Sequence, residues 1–141
     1  RESLRKEYGD KFCNTLRTNF YMRPPVIRSP HLLSHASVEY PIFRNCYFDS
    51  IKNGESKENV LHRLLPYFQN DILSTALEGK VPLVVSHKHC MRVLMKHYLQ
   101  LDDETFEHYH LPDQSIIHMK FDAQYNYISF EQIQIQAYMT E

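Results

Sequence analysis

Val81-Pro82-Leu83-Val84-Val85-Ser86-His87-Lys88-His89-Cys90-Met91-Arg92 is the stretch on which the reading of this chain turns. An apolar run rich in β-branched residues stops at a serine and a histidine, and an arginine follows five positions later. The run predicts a short strand over Leu83–Ser86, and its lack of polar alternation predicts burial on both faces, as in a parallel sheet. A short turn should lead into a helix from about Met91 to Leu99 that packs behind the strand. A histidine at the carboxyl end of a buried strand, beside a helix amino terminus, is well placed to meet an anion.

Working outward, Gly54-Glu55-Ser56 opens the clearest helix. Ser56 can cap it, and Val60, Leu61, Leu64, Leu65, Phe68, Ile72 and Leu77 recur at helical steps until Gly79, with Pro66 predicting a kink. Those apolar positions are predicted core. Asp102-Asp103-Glu104 marks another helix start, with acids at the positive end of the dipole, and that helix should stop before Leu111-Pro112. Ser115–Phe121 alternates apolar and polar residues and predicts a strand; Ile128–Tyr138 alternates weakly and predicts a strand or an irregular tail. Tyr125, Tyr127 and Phe130 either cover a sheet edge or stand exposed.

Toward the amino end, Leu4, Tyr8, Phe12 and Leu16 form one apolar stripe on a helix from Glu2 to about Leu16, weakened by Gly9. Pro24-Pro25 ends regular structure, because each proline lacks an amide donor and pushes its predecessor out of the helical region. Ile27–Asn53 has neither period and is long enough for a functional loop. The whole predicts an α/β fold with only two firm strands, so further strands must come from elsewhere.

Composition excludes several classes. The chain has 141 residues, 43% apolar, and 16 basic against 17 acidic side chains with no long run of either sign. That predicts one globular domain over residues 1–141, without a nucleic-acid or membrane surface. Cys13, Cys46 and Cys90 are odd in number and lack metal-clip spacing, which fits free thiols in a cytoplasmic protein. His87, His89 and Cys90 are competent zinc ligands by type, but the spacing and the lack of a fourth ligand favour no metal. His62, His97, His108 and His110 fall on helical stretches or their ends and are expected to face solvent or to play helix-terminal roles.

Several of these segments recur together as a known pattern. Glu55-Ser56 with Arg63-Leu64-Leu65-Pro66-Tyr67-Phe68, Ser86-His87 through Arg92, Lys96-His97 with Leu101, and Leu111-Pro112 stand in an order and spacing without gaps from Gly54 to Asp122. In this the chain resembles the cofactor-dependent phosphoglycerate mutases of the histidine phosphatase superfamily, whose patterns include E-S-x-x-x-x-x-x-R-x-L-P-[FY]-[WF] and A-H-G-N-S-x-R. Upstream, Arg17 with Pro24-Pro25, and Glu2-Ser3-Leu4-Arg5-Lys6, resemble the W-R-R-x-Y-x-x-P-P-P-P and E-T-A-A-K segments, the latter with one residue inserted after Lys6.

The resemblance implies a three-layer α/β/α domain seen in its carboxyl-terminal part, incomplete at the amino end and lacking the first strands. It implies interconversion of 3- and 2-phosphoglycerate in glycolysis through a phosphohistidine, with 2,3-bisphosphoglycerate as cofactor and no metal. His87 would stabilise charge on the transferring group, Glu2 would exchange the substrate hydroxyl proton, and Lys6, Arg17 and His89 would contact substrate anions. Arg92 would support the architecture beneath the site. The family's R-H-G-E-[ST] motif, with the phosphorylated histidine, is absent. Lys88-His89-Cys90 replaces G-N-S, Thr18 replaces the second arginine of R-R, and Asp113-Gln114 replaces T-G, each change weakening anion binding. The expectation is therefore a phosphoglycerate mutase-like isomerase, impaired or inactive as this chain, acting on small phosphorylated three-carbon acids. The alternative is a non-catalytic relic that binds a partner, such as a family subunit in a homo- or hetero-oligomer; phosphatase activity is a third reading.

Overall fold

The structure, a computed structural model, describes residues 2–26, 54–112 and 114–134. The loop expected over Ile27–Asn53 and the tail beyond residue 134 lie outside these residues, as do Cys46 and Asp113. The chain divides into two compact units, Arg1–Val60 and Leu61–Glu141.

In the first unit, helix α1 (Glu2–Thr18) bends at Gly9, whose φ of 80° and ψ of 162° are not helical. The bend interrupts the expected stripe: Leu4 is exposed, Tyr8 and Phe12 stack with ring centroids 5.1 Å apart, and Cys13 is the buried residue of the helix. The Lys57 ammonium donates to the carbonyls of Leu16 at 2.9 Å and Asn19 at 2.8 Å, giving partners to acceptors that the end of a helix leaves open. The Glu58 amide donates to the Phe20 carbonyl at 3.1 Å, closing the same junction around the buried Phe20 ring. Gly54, at φ +67°, sits against the Pro24 ring with no room for a side chain.

Helix α2 (Lys57–Tyr67) starts as the sequence predicts. The Asn59 amide donates to Ser56 Oγ at 3.2 Å, while the Ser56 amide donates back to Asn59 Oδ1 at 3.2 Å, a reciprocal cap with asparagine in place of the usual acid. Pro66 lies inside the helix, and the next turn, Phe68–Leu73, is π-helical before α3 (Ser74–Leu77) resumes. Because a π turn closes over five residues, Phe68 and Leu73 both face inward. Leu77, predicted as core on an unbroken helical period, is exposed for the same reason. Gly79, at φ 80°, ends the segment.

The second unit packs Phe68 and Leu73 against Leu94 of helix α4 (Lys88–Tyr98), with Leu64, Ile72, Met91, Tyr98, Met119 and Phe121 around them. Helix α5 (Asp103–His108) is capped by Asp102, whose carboxylate accepts from the Thr105 amide at 2.7 Å. Strands β1 (Ser115–Phe121) and β2 (Tyr127–Gln134) form an antiparallel pair, with Ile117 opposite Gln132 and a bulge at Lys120/Phe121. Their connection is held by Asp122, which accepts from the amides of Gln124 and Asn126 at 2.9 and 2.8 Å. Alternation along β1 turns Met119 and Phe121 onto the core, and Tyr127 joins the Tyr98–Phe121 ring cluster.

The expected strand over Leu83–Ser86 is a correction. These residues make no ladder with any strand among the described residues, and Val81, Leu83 and Val85 are 91%, 83% and 89% exposed rather than buried. A strand is created by its neighbour's hydrogen bonds, and apolar composition alone supplies none. The expected turn is also absent: α4 begins directly after His87, three residues before the predicted start at Met91.

Two measurements follow from this architecture. Gly54→Ala should destabilise the chain by about 1–2 kcal/mol from the left-handed backbone alone, more with the Pro24 clash, as read by urea unfolding. Asp102 and Asp122 have pKa values below the ordinary 3.8, the first chiefly through the Thr105 backbone amide and the second chiefly through the Asn126 side chain. Their folded forms favour the carboxylate, so their contribution is present above 3.8 and is lost as pH falls below it. Thermal melts should show a shallower acid decline in Asp102→Ala and Asp122→Ala than in the parent.

Candidate functional site

His87 occupies the N-cap of α4 with φ −71° and ψ 141°, an extended conformation that lets the preceding run enter the helix without a loop. Its carbonyl accepts from the amides of Cys90 at 2.9 Å and Met91 at 3.2 Å, and its Nδ1 accepts from the His89 amide at 3.3 Å. The imidazole therefore replaces the oxygen of a usual cap residue. A neutral imidazole that accepts at Nδ1 carries its proton at Nε2. The His87 ring is exposed, so that N–H is available as a donor at the positive end of α4.

His89 stacks on His87, with ring centroids 5.1 Å apart and planes at 28°. Lys88, His89 and Cys90 are all half-buried in the first turn, and Cys90 is a free thiol. Arg92 points the other way. It is 7% exposed, its Nη2 donates to the Phe106 carbonyl at 2.6 Å, and its guanidinium lies 4.7 Å from the Phe106 ring centre. Burial lowers its pKa, partly opposed by Tyr109. Four residues on, Lys96 Nζ lies 5.3 Å from the same ring and donates to the Leu101 carbonyl at 2.7 Å and to Asp103 Oδ1 at 2.8 Å.

The sequence-predicted residues divide between the units. His87, His89 and Arg92 belong to one short segment of the second unit, where the first two touch and the third supports the helix from behind. Glu2 and Lys6 are exposed before the Gly9 bend of α1 and Arg17 is exposed in its last turn, all in the first unit. Sequence reasoning missed the pairing of Arg92 and Lys96 on Phe106. A signal was available, since the two cations are four apart on a predicted helix and Phe106 follows a helix start. His62, His97, His108 and His110 are exposed, as expected.

Among the described residues no group of three or more His, Cys, Asp or Glu side chains could hold a metal ion. No helix among them is long and apolar enough to cross a membrane.

Comparison with known proteins gives this segment a context. The sequence profile of the histidine phosphatase superfamily (branch 1) matches residues 33–133. The chain is 28% identical over 130 residues to the 2,3-bisphosphoglycerate-dependent phosphoglycerate mutase of Haemophilus influenzae strain PittGG, covering 91% of this chain and 56% of that protein. It is 26% identical over 130 residues to the mutase of the same name from Histophilus somni strain 2336 and over 129 residues to that of Haemophilus ducreyi, with the same coverage. The chain thus spans about half the length of the curated relatives it matches.

The cap is separable from the imidazole by substitution. His87→Asn retains a capping side chain, whereas His87→Leu removes it, so the second variant should unfold about 0.5–2 kcal/mol more easily than the first in urea.

Proposed function

Because the chain belongs to the histidine phosphatase superfamily, we propose that it is a phosphoglycerate mutase-like protein in which His87 is the charge-stabilising histidine of a phosphoryl-transfer site. The observation that carries this reading is the His87 cap itself: an exposed imidazole whose Nδ1 accepts from the His89 amide, at the amino end of α4, which leaves Nε2 to carry the proton of the neutral ring. A transferring phosphoryl group has a loose transition state with charge spread over its oxygens, and a donor fixed beforehand stabilises that charge without reorganising. Glu2 would exchange the substrate hydroxyl proton, and Lys6, Arg17 and His89 would bind the anionic ends of a phosphorylated three-carbon acid.

Lys88 and His89, which the loss of G-N-S leads one to expect to weaken anion binding, nonetheless add a cation and a second imidazole beside His87 at a helix amino terminus, chemistry that is compatible with a phosphate. When bound, 2,3-bisphosphoglycerate supplies the phosphoryl group of the reaction. Within these 141 residues none of the three glycines follows a histidine, so the family's phosphorylated motif has no counterpart. Mutase turnover by this chain alone is therefore expected to be impaired or absent, since covalent transfer requires an activated nucleophile.

A second reading, a non-catalytic module that binds a family subunit, is favoured by one specific observation. Val81, Leu83 and Val85 stand 91%, 83% and 89% exposed in an apolar run, a composition suited to a β-strand neighbour.

Incubation of the 141-residue chain with 2,3-bisphosphoglycerate carrying a labelled phosphoryl group tests both readings. The expected result is no acid-labile label, with reversible binding that His87→Ala weakens roughly tenfold, or about 1.4 kcal/mol. Label retained on the chain and discharged by 3-phosphoglycerate would refute the non-catalytic reading. Binding that is unaltered in His87→Ala removes the site assignment.

A further inference from the structure

We infer that Arg92 is the positioning residue that holds His87 as an Nε2–H donor, by locking the first half of α4 onto α5 through Phe106. The inference rests on the reading of His87 as the site histidine and adds what fixes its proton. His87 can present Nε2–H only while Nδ1 accepts from the His89 amide, a bond of 3.3 Å that a small rotation of the first turn would break. Free of that bond, a neutral imidazole exchanges between tautomers, and the outward nitrogen becomes an acceptor for part of the time. An acceptor facing a phosphoryl oxygen repels it.

The first turn has few apolar anchors of its own, because Lys88, His89 and Cys90 are only half-buried. On one side Met91 packs on the Phe68–Leu73–Leu94 core; on the side facing α5 the nearest tie is Arg92, 7% exposed and bonded at 2.6 Å to the carbonyl of Phe106, a residue with no solvent exposure. Lys96 grips the same ring at 5.3 Å, but its hydrogen bonds run to Leu101 and Asp103, beyond the carboxyl end of α4. The two cations therefore divide the helix between them. Loss of Lys96 should loosen the far end and leave the His87 cap in place, whereas loss of Arg92 should release the cap.

Nitrogen chemical shifts of the His87 ring, recorded on the full chain under alkaline conditions, distinguish the two tautomers. The parent and Lys96→Met should both show the Nε2–H form, although Lys96→Met melts at a lower temperature. Arg92→Met should show a mixture, and Arg92→Lys, which keeps a cationic donor but not the planar guanidinium, should fall between it and the parent. A single Nε2–H form in Arg92→Met, or a mixture of equal extent in Lys96→Met, overturns the proposal. Where Arg92→Met does not fold, Arg92→Lys is compared with Lys96→Met instead: a shift toward the mixture in the first alone supports the proposal, and its absence overturns it. Inorganic phosphate should then bind the parent with a shift centred on His87 and bind Arg92→Lys several-fold more weakly. A parent that ignores phosphate refutes His87 as the anion donor, while the tautomer comparison still judges Arg92.

Discussion

Phe106 has no exposed surface, and two cations from one face of a neighbouring helix lie over its ring at 4.7 and 5.3 Å. Burying a guanidinium is costly unless its charge and donors find partners. Here Phe106 supplies a ring face for cation–π attraction and a carbonyl for a charge-assisted hydrogen bond from Nη2, while the buried Nε finds no hydrogen-bond partner among the described residues, so part of that cost stays uncompensated. Lys96 keeps its ammonium at the rim, where Asp103 and the Leu101 carbonyl receive it. The arrangement orders α4, α5 and the turn between them as one piece. Asp102 adds the cap that starts α5, so the register of Phe106 relative to Arg92 is set from both ends.

The remainder of the second unit is arranged around the opposite side of α4. Leu94 presses on Phe68 and Leu73, and these two share a side only because the turn between them is π-helical. An uninterrupted α-helix over the same residues would rotate Leu73 away by about one residue's worth of arc. The hairpin closes this side with Met119 and Phe121, and its aromatic residues reach Tyr98. Polar chemistry and apolar packing are thus separated along α4, with His87 and His89 at the solvent end and Val93, Leu94 and Met95 buried.

What the sequence discloses follows from how local each feature is. Ser56, Asp102 and Gly79 act on residues within a few positions, and each marks a helix boundary as read. The alternation of Ser115–Phe121 is likewise local, and it places Met119 and Phe121 inward. The π turn is not visible in that way, because Leu64, Phe68 and Ile72 satisfy a helical period and nothing near Pro66 says the backbone will widen afterwards. For the site, motif spacing points to His87, His89 and Arg92, yet it cannot say that His87 caps its own helix or that Arg92 meets Phe106 fourteen residues away. Those are consequences of rotamer and tertiary contact.

The apolar run before His87 shows why composition and structure part company. Val81, Leu83 and Val85 have the residue types of a central strand, but a strand's backbone donors and acceptors need a neighbour on each side. The two strands among the described residues pair with each other, and neither pairs with this run. Large apolar side chains held at 83–91% exposure are unfavourable in water by an amount that grows with their area, so any strand that docks here gains both hydrogen bonds and burial. Its end point is the His87 cap, and His87 is the first residue of the run whose backbone is tied into a helix. Order imposed on the run would therefore reach the helix at His87, the residue where the unpaired segment and the helix that carries Arg92 meet.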